Sequence, residues 1–202
     1  MRALAFAYPE DPSIWNQMYE LQYCFGRDLL VSPIYSGHSK AWSLYLPAGG
    51  WRNFWTGEPY FGGQEITLQV TVEDIPVFVR AGAIIPFLDP SPDTLLPVMD
   101  EPEIKVAGND LRLQLYPGAD GKFDLYEGTN FIWQESSTTL VIKNQPIDRW
   151  VSIRVMDIGY RFVQAVDDTG TVIDTETTDL NGSAGHIRLR TSKDYSYSLM
   201  FL

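Results

Sequence analysis

Three carboxylates, Asp120, Asp124 and Glu127, stand close together in the sequence. Neighbouring carboxylates can supply a nucleophile and a general acid or base, or they can bind a hard cation. Turns and outward-facing strand positions also collect carboxylates, for turn chemistry and solubility. Because the cluster lacks the spacing of an EF-hand loop, we expect it to form a turn and not a catalytic or calcium site.

Four aromatic residues, Trp51, Trp55, Tyr60 and Phe61, form a second candidate group. Flat aromatic faces suit stacking on pyranose rings, so this group is able to serve as an accessory carbohydrate site. Aromatic side chains are, however, usually substantially buried in folded proteins. We therefore expect these residues to form the core of a small β-domain or its seam with an adjacent part of the protein.

The remaining candidates are the two histidines, His38 and His186, and the single cysteine, Cys24. They are too few for an intrachain disulfide or a Cys/His metal cluster, which leaves only carboxylate binding of calcium open. We expect His38 to be a solvent-facing loop residue, His186 to be a strand-edge residue and Cys24 to be a small buried apolar group. The sequence thus predicts no catalytic residue, no metal and no cofactor.

Composition limits the class of protein. The 202 residues are 45% hydrophobic and 13% aromatic, enough for one large or two small domains with real cores. The formal charge of -11 repels phosphate backbones and anionic lipids, which argues against nucleic acid and membrane partners. We find neither a signal-like N-terminus nor an apolar run long enough for a membrane helix, and together with the single cysteine this favours a cytoplasmic location.

The first 34 residues resemble a slice of an α/β fold. Residues 2–8 are almost all apolar, typical of a strand buried on both faces. Asp11 is a suitable N-cap for a helix that has Pro12 in its first position and ends near Gly26. Residues 29–34 again indicate a short buried strand. The predicted order is therefore strand, helix, strand.

From about Lys40 onward, short alternating segments and Gly-rich or Pro-rich turns indicate antiparallel β-sandwiches without a second helix. Strands are predicted at residues 42–46, 66–70, 76–79, 138–143, 150–156, 160–166, 186–191 and 197–201. A first β-domain is predicted to end near Leu88. Residues 111–116 and 122–126, joined by a turn at 119–121, indicate a hairpin that opens a second domain as a β-meander.

Proline-rich residues 89–102 predict a stiff linker between the two β-domains, because proline fixes its own φ and cannot donate to a sheet ladder. The predicted organisation is therefore residues 1–34, a proximal β-domain at 35–88, the linker, and a distal β-sandwich at 103–202.

Several segments, taken in chain order, resemble the end of the catalytic barrel and the C-terminal domains of glycoside hydrolase family 31. The segments most specific to the family are the tryptophan-containing run Leu46–Gly57 and residues 75–86, which include Val79-Arg80-Ala81-Gly82-Ala83. Residues 1–12 and 26–33 resemble late barrel strands, and residues 116–127 resemble a distal-domain hairpin. A similar Met-Arg-Ala-Leu run lies inside the barrel of this family, so we expect Met1 to be an internal methionine of a longer protein.

This resemblance implies a mainly β fold, with two antiparallel β-sandwich domains preceded by a strand-helix-strand remnant of a (β/α)8 barrel. It implies a parent enzyme that is a retaining α-glycosidase acting on α-linked glucose or xylose, and it makes the rest of that barrel the expected partner. The chain departs from the family at Arg27, where an acidic residue is common, and at Gly128-Thr129-Asn130, which replaces an acidic turn.

The family's Trp-x-Asp-Met-Asn-Glu nucleophile motif and its acid/base segment have no match in the chain. We therefore expect a non-catalytic region that supports the barrel. Two alternatives stay open: a free-standing carbohydrate-binding module that uses surface tryptophans, and a β-protein scaffold without a ligand.

Overall fold

The structure, a computed structural model, describes residues 1–16, 19–36, 40–71, 73–89, 110–157, 159–180, 183–193 and 195–202. The chain forms two compact units, Met1–Ala81 (unit 1) and Gly82–Leu202 (unit 2). Both are built mainly from antiparallel sheets, and the mainly β fold class predicted from the sequence is confirmed. None of the described helices is long and apolar enough to cross a lipid bilayer.

Unit 1 contains a six-stranded sheet of order β1-β2-β3-β8-β5-β6 and a two-stranded sheet of β4 and β7. Its strands are β1 (Arg2–Ala3), β2 (Tyr23–Phe25), β3 (Leu29–Val31), β4 (Ala41–Leu46), β5 (Gly50–Asn53), β6 (Pro59–Phe61), β7 (Gln64–Gln69) and β8 (Val77–Arg80). Helix α1 spans Leu4–Ala7, and a 3₁₀ helix spans Pro12–Trp15. The buried residues Leu30, Leu44, Trp51 and Phe78 belong to one core cluster of this unit.

Unit 2 has two five-stranded sheets that share one apolar core. The first has the order β16-β17-β14-β10-β9 and the second β11-β12-β13-β18-β15. The strands are β9 (Ile84–Leu88), β10 (Leu111–Leu115), β11 (Gly121–Asp124), β12 (Asn130–Gln134), β13 (Thr139–Lys143), β14 (Arg149–Val155), β15 (Phe162–Asp167), β16 (Thr175–Leu180), β17 (Ser183–Thr191) and β18 (Tyr197–Phe201). A 3₁₀ helix spans Glu135–Ser137.

Leucine, valine and isoleucine side chains of the first sheet pack with Phe131, Trp133 and Leu199 of the second, and all three are fully buried. Alternation along each strand explains this arrangement, because successive side chains point to opposite faces of a sheet. One exception to the antiparallel pattern is the parallel pair of β10 and β14.

The predicted helix from Asp11 to Gly26 is wrong. Asp11 does cap a helix, with its carboxylate accepting from the Ser13 amide, but that helix is 3₁₀ and ends at Trp15. Tyr23–Phe25 forms β2, paired between β1 and β3, and Gly26 adopts a φ of 66° in the turn between β2 and β3. Strand pairing in the tertiary structure therefore overrides the helical spacing of the aromatic residues. Met18, which belonged to that spacing, lies outside the described residues.

The predicted strand at residues 2–8 is largely replaced by α1. Only Arg2–Ala3 forms a strand, and the Tyr8 amide donates to the Leu4 carbonyl at 2.8 Å to close a helical turn. Leu4 is buried whereas Phe6 is 82% exposed, so the segment is not covered on both faces. The strand predicted at 29–34 is confirmed over Leu29–Val31. The origin of residues 1–34 as a barrel remnant stays a prediction.

The hairpin predicted from residues 111–116 and 122–126 is also wrong in its pairing. Both arms are strands, but β10 lies between β9 and β14 in the first sheet of unit 2. Strand β11 pairs with β12 in the second sheet and opens the meander β11-β12-β13. Alternation locates a strand without identifying its partner, and here the chain passes from one sheet to the other between the arms.

Residues 84–88, which the sequence predicts to belong to the proximal β-domain without predicting a strand there, form β9 and pair antiparallel with β10 of unit 2. The compact units accordingly divide between Ala81 and Gly82 and not near Leu88. The predicted linker at 89–102 lies outside the described residues except for Asp89. The other strands predicted between residues 40 and 202 are confirmed within a few residues at each end.

Two glycines bring the backbone of unit 2 into close contact. A Cβ atom on Gly121 would lie 1.6 Å from the Gly82 carbonyl oxygen, and Gly82 itself has a φ of 85°. No larger residue fits at Gly121 unless the backbone moves. By contrast, Gly128 has a φ of 103° and nothing within 4 Å of an added Cβ.

We expect Gly121→Ala to lower the free energy of unfolding by about 3 kcal/mol or more, because the steric overlap involves backbone atoms. Gly128→Ala is the matched control, with backbone strain alone costing about 1 to 2 kcal/mol. Urea unfolding of both variants measures the difference. Equal losses in the two variants would contradict the close-contact explanation.

Candidate functional site

Trp51, the first of the aromatic candidates, is a core residue of unit 1. It is 2% exposed, and its indole Nε1 donates to the Pro47 carbonyl at 2.7 Å. The Arg80 guanidinium carbon lies 5.4 Å from the centre of the Trp51 ring and 5.3 Å from that of Tyr8. Arg80 also donates to the Tyr8 hydroxyl at 2.5 Å. Burial raises the pKa of this hydroxyl, and Arg80 acts in the opposite direction. Trp51 is therefore committed to packing, as the sequence indicated.

Tyr60 is half-buried and packs edge-on against Phe78, with ring centres 5.2 Å apart. Its hydroxyl donates to the Glu58 carboxylate at 3.0 Å. Burial is the main cause that raises the pKa of Tyr60, and the Glu58 interaction adds to it. Tyr60 thus lies at the edge of the core of unit 1.

Trp55 and Phe61 do not lie in the core of unit 1, since they are 62% and 84% exposed, so for them only the expected seam stays open. Trp55 lies in a turn in which the Asn53 side chain accepts from the Trp55 amide at 2.9 Å. The Trp55 indole Nε1 donates to the Ile75 carbonyl at 2.9 Å, and the ring packs edge-on against Phe54. The indole is therefore fixed in place while much of its surface remains open to solvent.

Other large apolar side chains of unit 1 are exposed as well. Phe6, Trp15, Phe25 and Tyr35 are each more than half exposed. An isolated apolar residue at a surface is ordinary, whereas contiguous exposed apolar patches mark sites of interaction. These rings are available for contact with another surface or ligand.

The three candidate carboxylates each have structural partners. Asp120 accepts from the Glu135 amide at 2.8 Å, and Asp124 lies 3.1 Å from the Lys122 ammonium. Glu127 pairs with Arg149 at 2.5 Å. Their hydrogen bonds explain why carboxylates occupy these positions without an acid-base reaction. Asp120 and Asp124 serve turn and strand-end geometry, as expected of turn residues.

Glu127 belongs to a buried polar network in unit 2. Its carboxylate also accepts from Thr129 at 2.8 Å, and Thr129 contacts Gln145. Gln145 donates to Thr191, whose hydroxyl donates to the Arg149 carbonyl. Thr129 and Thr191 are fully buried, and Arg149 is 5% exposed. Glu127 thus neutralises an arginine that the fold has removed from water.

The sequence analysis missed Glu135, which joins several elements of unit 2. Its carboxylate accepts from the Trp133 indole and the Tyr160 hydroxyl, both at 2.5 Å, and from the Gly118 amide at 2.9 Å. No local pattern identifies such a residue, because two of its three partners, Gly118 and Tyr160, lie 17 and 25 residues away in the sequence.

The histidines and the cysteine differ in outcome. His38 lies outside the described residues. His186 lies inside the nine-residue strand β17, which is paired on both sides, so the prediction of an edge residue is wrong. Burial and the charges of Arg154 and Arg112 lower the pKa of His186, against the effect of Asp89. Cys24 is buried in the core of unit 1, and this burial raises the pKa of its thiol.

Across the described ranges, no group of three or more His, Cys, Asp or Glu side chains is arranged to hold a metal ion. The geometry instead offers two kinds of surface: exposed aromatic rings in unit 1 and charged side chains held on the sheets of unit 2.

Residues 1–85 match the family model of the glycosyl hydrolase family 31 C-terminal domain. Among curated relatives, an α-xylosidase of Saccharolobus solfataricus is 31% identical over 135 residues, which are 66% of this chain and 17% of the relative. An α-glucosidase 2 of Bacillus thermoamyloliquefaciens is 30% identical over 156 residues, covering 72% of this chain and 19% of the relative. The chain therefore spans about a fifth of the length of these enzymes.

Solved structures share the fold. A dextranase of Flavobacterium johnsoniae in complex with glucose has a TM-score of 0.75 and 19% identity, over 99% of this chain and 29% of that one. A cycloalternan-forming enzyme of Listeria monocytogenes in complex with a pentasaccharide substrate has a TM-score of 0.73 and 21% identity. That match covers 99% of this chain and 20% of the enzyme. At these identities the likeness concerns the fold alone.

We expect Glu127→Gln to lower the free energy of unfolding by about 2 to 4 kcal/mol, because the substitution leaves buried Arg149 without a countercharge. Asp124→Asn is the matched control, since its pair with Lys122 is solvent-exposed and contributes less than about 1 kcal/mol. Denaturant unfolding of both variants at neutral pH distinguishes these costs. Similar values would show that Glu127 has no special structural role.

Proposed function

We propose that this chain is the non-catalytic C-terminal region of a retaining α-glycosidase. The reason is that the chain belongs to glycoside hydrolase family 31 and matches the C-terminal domain of that family over residues 1–85. The observation that carries this proposal is the family match, which covers all of unit 1. In this proposal the region supports a catalytic barrel and contributes no reacting group.

The state of the carboxylates supports a non-catalytic role. A retaining glycosidase needs two carboxyl groups about 5 to 5.5 Å apart, one as nucleophile and one as acid and then base. In this chain Glu127 is engaged with Arg149, and Asp120 accepts from the Glu135 amide. Groups committed to such contacts are poorly suited to attack a sugar or to exchange protons with it.

The exposed aromatic side chains of unit 1 support a role in covering a larger partner. Phe6, Trp15 and Phe25 come from the segment whose sequence resembles the end of the barrel, and they are 82%, 66% and 55% exposed. Burying such rings against another apolar surface would stabilise the assembly by roughly 1.5 to 3 kcal/mol for each fully covered side chain. We propose that the rest of the barrel is the surface they contact.

For the parent enzyme, we propose hydrolysis of terminal α-linked glucose or xylose. The support is the pair of curated relatives named as an α-glucosidase and an α-xylosidase. Recognition of the sugar would then depend on residues of the barrel.

A second candidate function rests on Trp55. Its indole is anchored through Nε1 to the Ile75 carbonyl and remains 62% exposed, which suits stacking on a sugar ring. In this alternative the chain is a carbohydrate-binding module, and Trp15 at 66% exposure is a further surface tryptophan able to contribute.

We expect the purified 202-residue chain to release no nitrophenol from nitrophenyl α-glucoside or α-xyloside above the buffer rate. The reason is that the candidate carboxylates Asp120, Asp124 and Glu127 are engaged in hydrogen bonds or ion pairs and not held as a reacting pair. The Bacillus α-glucosidase, assayed in parallel, serves as a positive control. Turnover that survives repeated purification and disappears in Glu127→Gln or Asp120→Asn would overturn the non-catalytic role.

We expect titration with malto- and xylo-oligosaccharides to leave the intrinsic tryptophan fluorescence of the chain unchanged, since the proposed role of the exposed rings is contact with protein. Trp55→Ala provides the comparison, because it removes the ring without opening a cavity in the core. A saturable spectral shift that is lost in Trp55→Ala would instead establish the carbohydrate-binding alternative.

A further inference from the structure

Four arginines project from the outer face of the first sheet of unit 2: Arg190 near the end of β17, and three that share a sequence pattern. Each of these three stands between two apolar residues in its strand: Arg112 in β10, Arg154 in β14 and Arg188 in β17. The flanking residues belong to the buried core of the unit. Because side chains alternate along a strand, the arginines must all lie on the face opposite the core. This recurrent pattern of apolar residue, arginine, apolar residue is visible in the sequence.

The strand register brings these arginines together around a small residue. Ser152 of β14 is paired with Arg112 on one side and with Arg188 on the other. Arg154 follows two residues later on the same face of β14, opposite His186. Cross-strand neighbours have Cβ atoms about 4.5 to 5.5 Å apart. Serine is short and Ser152 is 8% exposed, so the arginines paired with it on either side flank a short side chain. We call this set, Arg112, Ser152, Arg154 and Arg188, the arginine face.

Aromatic rings support two of the guanidinium groups. Arg188 lies 4.5 Å from the centre of the Trp150 ring, and Arg112 lies 5.2 Å from that of Phe87. Stacking holds a planar guanidinium by its face, which leaves the N–H groups at its edge for hydrogen bonding. Such an arrangement presents a donor fork in a fixed orientation and reduces the entropy lost when an acceptor binds.

Among the described residues, the acidic side chains Asp89 and Glu176 offset part of the positive charge on this face. Glu176 lies 3.9 Å from Arg188, but both side chains are substantially exposed, so the pair is weak. Asp89 accepts from the Ser152 hydroxyl at 3.3 Å. The Nε atoms of all three arginines, like that of the ion-paired Arg149, are buried and have no hydrogen-bond acceptor among the described residues. Like charges placed side by side on a sheet destabilise the fold. The positive charge of this face also acts on His186, whose pKa is lowered by burial and by the charges of Arg154 and Arg112.

We propose that the arginine face binds an oxyanion, a carboxylate or sulfate group carried by an anionic saccharide or present as a free inorganic ion. The guanidinium fork matches the paired oxygens of such groups, and the bound charge would relieve the repulsion among the arginines. A nucleic acid is a poor occupant, because the chain as a whole carries a formal charge of -11. The site is independent of the proposed glycosidase role.

The test uses the full 202-residue chain and two probes. Thermal unfolding is followed in sodium sulfate and in sodium chloride at equal ionic strength, and calorimetry compares tetragalacturonate with the neutral maltotetraose. A ligand that binds only the folded state raises the melting temperature in a saturable manner. We expect saturable binding of sulfate, tetragalacturonate or both, and none of maltotetraose.

Variants locate the binding on this face. We expect Arg188→Gln and Arg112→Gln each to weaken oxyanion binding about tenfold or more, since each removes a charge-assisted contact. Lys122→Gln, on the other sheet of unit 2, removes the same charge and should leave the affinity unchanged. Arg188→Lys keeps the positive charge but loses the two parallel N–H donors of the guanidinium group. If Arg188→Gln does not fold, the affinity of Arg188→Lys for the oxyanion is measured instead, and we expect a smaller loss. Circular dichroism verifies the fold of each variant.

The outcomes separate the source of the ligand from the existence of the site. Binding of tetragalacturonate without sulfate would identify an anionic saccharide, whereas binding of sulfate alone would identify an inorganic ion, and both support the proposal. A rise in melting temperature that does not saturate and is equal in all variants is a general salt effect and would overturn it. Loss of binding in Lys122→Gln equal to that in Arg188→Gln would overturn it as well.

Discussion

Unit 2 depends on one constraint: each strand must direct its apolar residues to the core shared by the two sheets. Leu113, Ile153 and Leu189 are fully or almost fully buried, and each such side chain contributes roughly 1.5 to 3 kcal/mol. A shift of register by one residue would move these side chains to the solvent face and bring the intervening polar residues into the core. Core burial therefore fixes the register, and the register in turn assembles the arginine face around Ser152.

The same constraint determines where buried charge is allowed. Arg149 is almost completely buried, and the fold provides it with Glu127 as a partner together with a chain of threonine and glutamine hydrogen bonds. Of the outer-face arginines, Arg188 pairs with Glu176, but that pair is largely exposed. The first arrangement neutralises a buried charge within the unit, and the second, on the outer face, is the proposed oxyanion site. This contrast distinguishes a structural ion pair from a candidate binding site.

Unit 1 has a different balance between buried and exposed aromatic residues. Trp51 is enclosed by Pro47 and Arg80, whereas Trp55, four residues later, is anchored by a single indole hydrogen bond and remains exposed. Residue type and spacing do not separate these two tryptophans. Under the proposed function, the exposed rings contact the rest of a larger glycosidase.

The sequence by itself determined the family, the mainly β class and the positions of most strands from Ala41 onward, because alternation and turn residues are local signals. Only the tertiary structure decided which strands pair. It placed β10 and β11 in different sheets, made Tyr23–Phe25 a strand despite its helical spacing, and moved β9 into unit 2. Partner choice depends on burial and hydrogen bonding between residues far apart in the chain, which no local pattern contains. The partners of Glu135 and the cluster of three arginines were decided in the same way.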